Sequence, residues 1–183
     1  MKIGVPKETR PGELRVAVSP ESVKKFVGLG FDVAVEKGAG LTASFTDEAY
    51  KDAGATVAAT AKAAMDKADV ILKVDRPTEA EVKAMPKGAI LACILSPFND
   101  PDATAACAAQ GVTAFAMEFM PRITRAQSMD VLSSQANLAG YRAVIDAAHE
   151  FARAFPMMMT AAGTVAPAKV FVMGAGVAGL QAI

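Results

Sequence analysis

The sequence has no tryptophan, a single histidine and only two cysteines among its 183 residues. With one histidine and no cluster of metal ligands, a dedicated transition-metal site is not expected. The 19 basic residues equal the 19 acidic ones, so there is no electrostatic signature for binding nucleic acid or an anionic membrane surface. No apolar run reaches the roughly 18 residues that span a bilayer.

Cys93 and Cys107 are isolated thiols in apolar surroundings. The N-terminal stretch MKIGVPKETR starts directly with a strand-like run and lacks the apolar segment of a secretion signal. We therefore expect both cysteines to be reduced core residues of a cytosolic protein.

Apolar residues make up 52% of the chain and charged ones 21%, which is typical of a folded globular protein. Short β-rich runs alternate with helical segments as far as residue 118, and this repetition predicts a Rossmann-like α/β fold, a parallel sheet with helices on both faces. The predicted helices begin at Ser19 with Pro20, at Thr46, at a Thr78–Glu81 capping box, and near Asp100. The predicted strands are residues 1–5, 31–36, 68–74, 89–95 and 112–118.

The pattern changes after residue 120. One long helical stretch is predicted from about Asp130 to Phe155, ended by Pro156, followed by a loop or short helix and then a strand at residues 169–173, KVFVM. The predicted organisation is an N-terminal α/β domain at 1–130, an interdomain helix and linker at 131–165, and the start of a second, NAD-binding Rossmann domain at 166–183.

A glycine-rich segment, Gly174-Ala175-Gly176-Val177-Ala178-Gly179, matches the pattern G-x-G-x-x-G. The first glycine permits a tight strand-to-helix turn, the second lets a pyrophosphate approach the backbone, and the third lets helix and strand pack closely. The amides at the start of the helix would then bind the phosphates. The alternative is a tight turn with no ligand.

The acidic residue expected about 20 positions further on would lie past Ile183, so a preference between NAD and NADP is not specified. One strand and one helix cannot wall a cofactor crevice. We therefore expect a fragment of a longer chain, or else a second polypeptide that completes the domain.

The N-terminal segment MKIGVPKETRPGELRVAVSPESVKKFVGLGFDVAVEKGAG resembles that of alanine dehydrogenases and of the NAD(H)-binding alpha subunit of proton-translocating transhydrogenases. The segment from RITRAQSMD to the C-terminus is more similar to the transhydrogenases. The resemblance implies hydride transfer between NAD(H), held by this subunit, and NADP(H) on a partner subunit, coupled to proton movement through a membrane component. It also implies a homodimer on the cytoplasmic side, peripheral to the inner membrane through its partners. This chain alone is expected to be inactive.

The resemblance also implies site residues: the transhydrogenase loop that faces the nicotinamide matches Arg122, Gln127, Asp130 and Ser133. Direct hydride transfer requires two correctly oriented rings rather than a proton donor, so positioning is the main catalytic contribution. Arg122 and Asp130 would hold the carboxamide, and Gln127 would contact a ribose and bridge toward the second nucleotide. Alternatively, Asp130 only caps the long helix and Ser133 lies in its first turn.

An alanine dehydrogenase is the second hypothesis, because Arg15 and Lys73 match that family's substrate-carboxylate ligands. Oxidative deamination also needs an acid–base group near the amino carbon. In the alanine dehydrogenases a histidine supplies it, and the corresponding stretch here offers Ile94 and Leu95 instead. The single histidine, His149, lies far along the long helix. Arg15 and Lys73 are then inherited fold features, ion-paired with Glu8 or Glu13.

A third hypothesis is a non-catalytic scaffold that needs a partner chain. The run of Met157, Met158 and Met159 suits an adaptable interface. Core packing explains three methionines equally well.

Overall fold

The computed structural model describes all residues from Met1 to Ile183, which divide into two compact units, Met1–Met120 and Pro121–Ile183. The three-part domain organisation given above stays a prediction. In chain order the first unit contains β1 (Lys2–Val5), α1 (Pro20–Gly28), β2 (Asp32–Glu36), α2 (Asp47–Asp52), β3 (Thr56–Ala58), α3 (Ala61–Met65), β4 (Val70–Asp75), α4 (Glu79–Ala84), β5 (Ile90–Ile94), α5 (Pro101–Gln110) and β6 (Thr113–Ala116).

The six strands of the first unit form one parallel sheet in the order β3-β2-β1-β4-β5-β6. Ile3 of β1 is paired with Val33 of β2 on one side and with Val70 of β4 on the other. The strand order therefore reverses between β1 and β4. In open parallel sheets, ligands bind outside the carboxyl ends of the strands at such a reversal.

Both faces of this sheet are covered. Along β4, Ile71 belongs to a core cluster with Val82, Leu91 and Cys107, whereas Leu72 packs against a second cluster built around Val23 and Tyr50. Successive side chains of a strand point to opposite faces, so the two clusters lie on opposite sides of the sheet. The predicted Rossmann-like α/β fold is confirmed.

The predicted helix starts are also confirmed. The side chains of Ser19, Thr46 and Asp100 each accept a hydrogen bond from a backbone amide in the first turn of the helix that follows. Thr78 and Glu81 form the reciprocal capping box of α4. Neither β3 nor α3 is among the predicted elements.

The second unit contains α6 (Val131–Glu150), β7 (Met158–Thr160), β8 (Gly163–Val165) and α7 (Val177–Ala182). The long helix ends at Glu150, earlier than predicted. The prediction of a loop or short helix after it was wrong, because β7 and β8 form an antiparallel hairpin. The Thr160 hydroxyl donates to the Gly163 carbonyl and accepts from the Ala162 amide, and Gly163 has a φ of 128°. These features close the turn.

The predicted strand at residues 169–173 is also wrong, since these residues are neither helix nor strand. A parallel strand is held by backbone hydrogen bonds to a neighbour, and the only strands of this unit, β7 and β8, pair with each other. Phe171 and Met173 are accordingly 84% and 90% exposed.

Cys93 and Cys107 are buried free thiols, as predicted. Burial raises the pKa of Cys93 to about 12, so the thiol stays protonated.

Among the helices, not one has both the length and the apolar character that crossing a bilayer requires.

Candidate functional site

The four loop residues implied by the family resemblance lie where the second unit begins. Arg122 precedes a 3-10 helix at Thr124–Met129 that contains Gln127, and Asp130 and Ser133 follow at the start of α6. The Ala126 side chain is buried and anchors this turn, while Arg122 and Gln127 are exposed. The turn thus presents the two long polar side chains to solvent.

Asp130 and Ser133 form a doubly hydrogen-bonded cap. Asp130 Oδ1 accepts from the Ser133 amide at 2.9 Å, and Oδ2 accepts from the Ser133 hydroxyl at 2.7 Å. The Ser133 hydroxyl is the main reason that the pKa of Asp130 is lowered, and the charge of Arg122 acts in the same direction. Asp130 therefore caps α6, and the cap holds it as a fixed carboxylate whose pKa is also lowered by the charge of Arg122.

The glycine-rich segment has the geometry that its pattern predicts at the turn and the helix start. Gly174 has a φ of 107°, a conformation that favours glycine. Gly176 is the N-cap of α7, and a Cβ built on it would meet no atom within 4 Å. A Cβ on Gly179 would lie 2.9 Å from the carbonyl carbon of Gly174 and closer still to its oxygen. The segment is therefore a tight turn with an open backbone at the start of a helix.

A buried charge cluster, which the sequence predicted only in part, lies at the carboxyl end of β4. Lys73 Nζ lies 3.2 Å from Glu8 Oε2 and 3.0 Å from Glu81 Oε1, with the side chains of Lys73 and Glu8 1% and 3% exposed. The contact with Glu8 is an ion pair without hydrogen-bond geometry. Glu8 Oε1 accepts from the Val74 amide at 2.6 Å. The expected pairing of Lys73 with Glu8 is confirmed, and Glu81 was missed.

Glu81 connects this cluster to the capping box of α4. Burial acts to raise the pKa of Glu81, but the hydrogen bond from the Thr78 amide and the charge of Lys73 outweigh it, so that the pKa lies below its usual value. The signal that could have found Glu81 is its position in the capping box, which brings its carboxylate to the end of β4.

Arg15 is paired separately. Its guanidinium lies 2.7 Å from Glu13 Oε2, and Arg15 Nε donates to Glu13 Oε1 at 2.8 Å. Hydrogen bonding from Arg15 lowers the pKa of Glu13. The expected pairing with Glu13 is confirmed.

The positions that would have to carry a deaminase's histidine hold apolar side chains. Leu95 is buried, and its amide donates to Glu118 Oε2 at 3.1 Å. Ile94 ends β5. The single histidine, His149, lies exposed in the last turn of α6. No group of three or more His, Cys, Asp or Glu side chains is arranged to hold a metal ion.

Comparison with known protein families identifies the family of the chain. The model of the alanine dehydrogenase/PNT N-terminal domain matches residues 4–139, and that of the C-terminal domain matches residues 143–183. The chain belongs to the alanine dehydrogenase/PNT family.

Within this family the transhydrogenases are more similar to the chain than the alanine dehydrogenases are. An NAD(P) transhydrogenase alpha subunit of Rhodospirillum rubrum is 63% identical over 188 residues, covering 100% of the chain and 49% of the relative. An alanine dehydrogenase of Methanococcus maripaludis is 35% identical, covering 100% and 49%. A crystal structure of transhydrogenase from Sinorhizobium meliloti has a TM-score of 0.95 and 60% identity, covering 100% of the chain and 54% of that chain. The chain thus spans about half the length of these relatives.

Proposed function

We propose that this chain is the N-terminal part of the NAD(H)-binding alpha subunit of a proton-translocating NAD(P) transhydrogenase. The observation that carries the proposal is the 63% identity to the Rhodospirillum rubrum subunit along the whole chain. The loop from Arg122 to Ser133 and the glycine-rich turn supply residues of the types that this function needs.

The glycine-rich turn fits a dinucleotide. The open space beside Gly176 would admit a diphosphate to the backbone. The amides of Val177, Ala178 and Gly179 start α7, where no carbonyl of the preceding turn is available to them. These amides would therefore bind the diphosphate, with Gly174 setting the turn.

The loop residues would position the nicotinamide. When NAD(H) is bound, its ring supplies or accepts the hydride. The reaction therefore requires no proton donor or nucleophile from the protein. Arg122 and Asp130 offer a guanidinium and an ionised carboxylate to the carboxamide. Ser133 holds Asp130 in place through its 2.7 Å hydrogen bond. Gln127, exposed on the same turn, would contact a ribose and reach toward the NADP(H) of a partner subunit.

The partners follow from the proposed reaction. A second, NADP(H)-binding component must present the other nicotinamide, and a membrane component must carry the protons. We propose that the subunit is a homodimer on the cytoplasmic side, peripheral to the inner membrane through these components.

The alanine dehydrogenase hypothesis is less well supported. Lys73 is neutralised by the Glu8 and Glu81 carboxylates in a buried cluster, and Leu95 cannot transfer a proton. The alanine dehydrogenase of Methanococcus maripaludis is 35% identical, against 63% for the transhydrogenase subunit.

The test compares two arginines of one loop. In the whole encoded subunit, assembled with its partner components, Arg122→Gln should lower the rate of hydride transfer from NADH to NADP⁺ by about tenfold or more, because a positioning charge is lost. Arg125→Gln, a matched change of an exposed residue in the same turn, should stay within about twofold of the unsubstituted enzyme. Equal effects of the two changes would contradict the proposed site.

A further inference from the structure

Gly140 occupies an unusual position in the middle of α6. Glycine in a helix interior is destabilising relative to alanine, and Gly140 is the only buried residue of the 20-residue helix. A buried glycine inside a helix therefore usually has an explanation in how the helix packs.

The packing reason is the start of α7. A Cβ built on Gly140 would lie 2.8 Å from the carbonyl carbon and 2.9 Å from the Cα of Ala178, and closer still to the Ala178 carbonyl oxygen. These atoms belong to backbone, which cannot rotate away as the end of a flexible side chain can. Any side chain at position 140 therefore forces the first turn of α7 away from α6.

A second contact joins α6 and α7 about one helical turn away from Gly140. Asn137 Nδ2 donates to Gln181 Oε1 at 2.8 Å. Asn137 and Gly140 are three residues apart and so share one face of α6, while Ala178 and Gln181 are three apart on α7. The two contacts together set both the distance of α7 from α6 and its rotation.

We infer that Gly140 is a positioning residue for the dinucleotide turn: it lets α6 seat the first turn of α7, and thereby aims the amides of Val177, Ala178 and Gly179 at the diphosphate of NAD(H). This inference rests on the proposed function. Position 140 lies between the segments matched by the two family models, 4–139 and 143–183. The G-x-G-x-x-G pattern does not include it either.

If Gly140 positions the diphosphate-binding amides, its substitution should weaken NADH binding without changing the rate of hydride transfer once NADH is bound. The diphosphate contacts are the same in the ground state and in the transition state of hydride transfer, so their loss should weaken binding while leaving the bound rate unchanged. Loss of hydrogen bonds to a charged diphosphate should weaken affinity by about tenfold or more.

The experiment uses the whole encoded subunit, assembled with its partner components. Gly140→Ala should raise both the Kd and the KM for NADH by about tenfold or more, with kcat within about twofold. The control is Gly28→Ala, since Gly28 lies at the end of α1 and a Cβ on it would meet no atom within 4 Å. This control should leave Kd, KM and kcat unchanged.

Each outcome decides the inference. An unchanged Kd in Gly140→Ala, or a fall in kcat that matches the rise in KM, would overturn it. If Gly140→Ala fails to fold, Asn137→Ala decides: loss of one hydrogen bond should raise the Kd for NADH about three- to fivefold, and an unchanged Kd would overturn the inference. If the unsubstituted subunit does not bind NADH at all, the proposed function itself fails.

Discussion

At the scale of single residues, the first unit contains a buried ion cluster of Lys73, Glu8 and Glu81. Removing one partner of a buried ion pair is costly because the remaining charge stays out of water without compensation. Here two carboxylates depend on one ammonium group. Removal of one charged side chain from the cluster should therefore lower the free energy of unfolding strongly.

Lys73→Met should lower the free energy of unfolding by about 3–5 kcal/mol. The control is Lys83→Met, which removes a 2.6 Å pair with Glu79 whose two side chains are 71% and 72% exposed. Because solvent screens such a pair, this control should leave the free energy of unfolding nearly unchanged. Urea denaturation at neutral pH measures both. Equal losses in the two variants would show that the cluster does not act as a buried charge.

The Asp130 carboxylate gives a second test at this scale. Ser133→Ala should raise the pKa of Asp130 back toward its ordinary value of 3.8, because the hydroxyl hydrogen bond is the largest cause of its lowering. The control is Ser134→Ala, whose hydroxyl donates to backbone carbonyls, and it should leave the pKa unchanged. A carboxyl titration by NMR measures the shift, and equal values in the two variants would contradict this assignment.

The sign of the resulting pH dependence follows from the lowered pKa. A carboxyl group whose pKa is depressed by folding stabilises the folded state above its unfolded pKa. That stabilisation of the start of α6 is lost as the pH falls through the lowered pKa of Asp130.

At the scale of elements, β1 and α3 approach each other through Gly4. Its neighbours Ile3 and Val5 face one core cluster, and Gly4 faces the other side of the sheet, where α3 lies. A Cβ on Gly4 would lie 2.9 Å from the Ala64 carbonyl oxygen and 3.2 Å from Met65 Cα. The short helix can cover the sheet only because this side chain is absent.

Gly4→Ala should therefore destabilise the first unit by about 1–3 kcal/mol through overpacking. Gly28→Ala adds the same methyl group where nothing lies within 4 Å, and it should be neutral or stabilising by up to about 1 kcal/mol. Thermal unfolding of the two variants compares them. A stable Gly4→Ala variant would mean that α3 can move without cost.

The elements that the sequence predicted correctly have local signals. Caps such as Ser19 and the Thr78–Glu81 box act within one turn, and the apolar run of β4 is contained in the strand itself. α3 does have a cap, because the Thr60 side chain accepts a hydrogen bond from the Ala63 amide. At five residues, however, α3 is too short to show a periodic apolar pattern. Its place depends on Gly4, more than 50 positions earlier in the chain. Periodicity cannot show a contact of that kind.

The wrong prediction at residues 169–173 has a different cause. KVFVM has the composition of a buried strand, but a strand exists only when a neighbour accepts its hydrogen bonds. Within the second unit β7 and β8 are paired with each other. Composition indicates an apolar segment but cannot show whether a neighbouring strand is there to pair with it.

The candidate site was predicted only in part, because contacts between segments far apart in the chain leave no local pattern in the sequence. The family resemblance, not the spacing alone, gave Arg122, Gln127, Asp130 and Ser133 as candidate residues. The cap between Asp130 and Ser133 follows from helix rules. Gly140 carries no local sign of its contact with Ala178, because that contact joins segments 38 positions apart.

At the scale of the whole molecule, binding of NAD(H) and orientation of its ring are the proposed tasks of this subunit. Arg122 and Asp130 would hold the carboxamide, and the turn seated by Gly140 would hold the diphosphate. The chain spans about half the length of its relatives, so the proposed activity belongs to the whole subunit assembled with its partners.

The most direct test follows a deuterium atom. The assembled complex is given NADP⁺ and NADH that carries deuterium at the transferred position of the nicotinamide ring, and the NADPH formed is analysed by mass spectrometry. Direct transfer between two positioned rings predicts that the deuterium moves to NADPH with its electron pair and that no solvent hydrogen replaces it. NADPH that carries hydrogen from water, or no NADPH at all, would contradict the central claim.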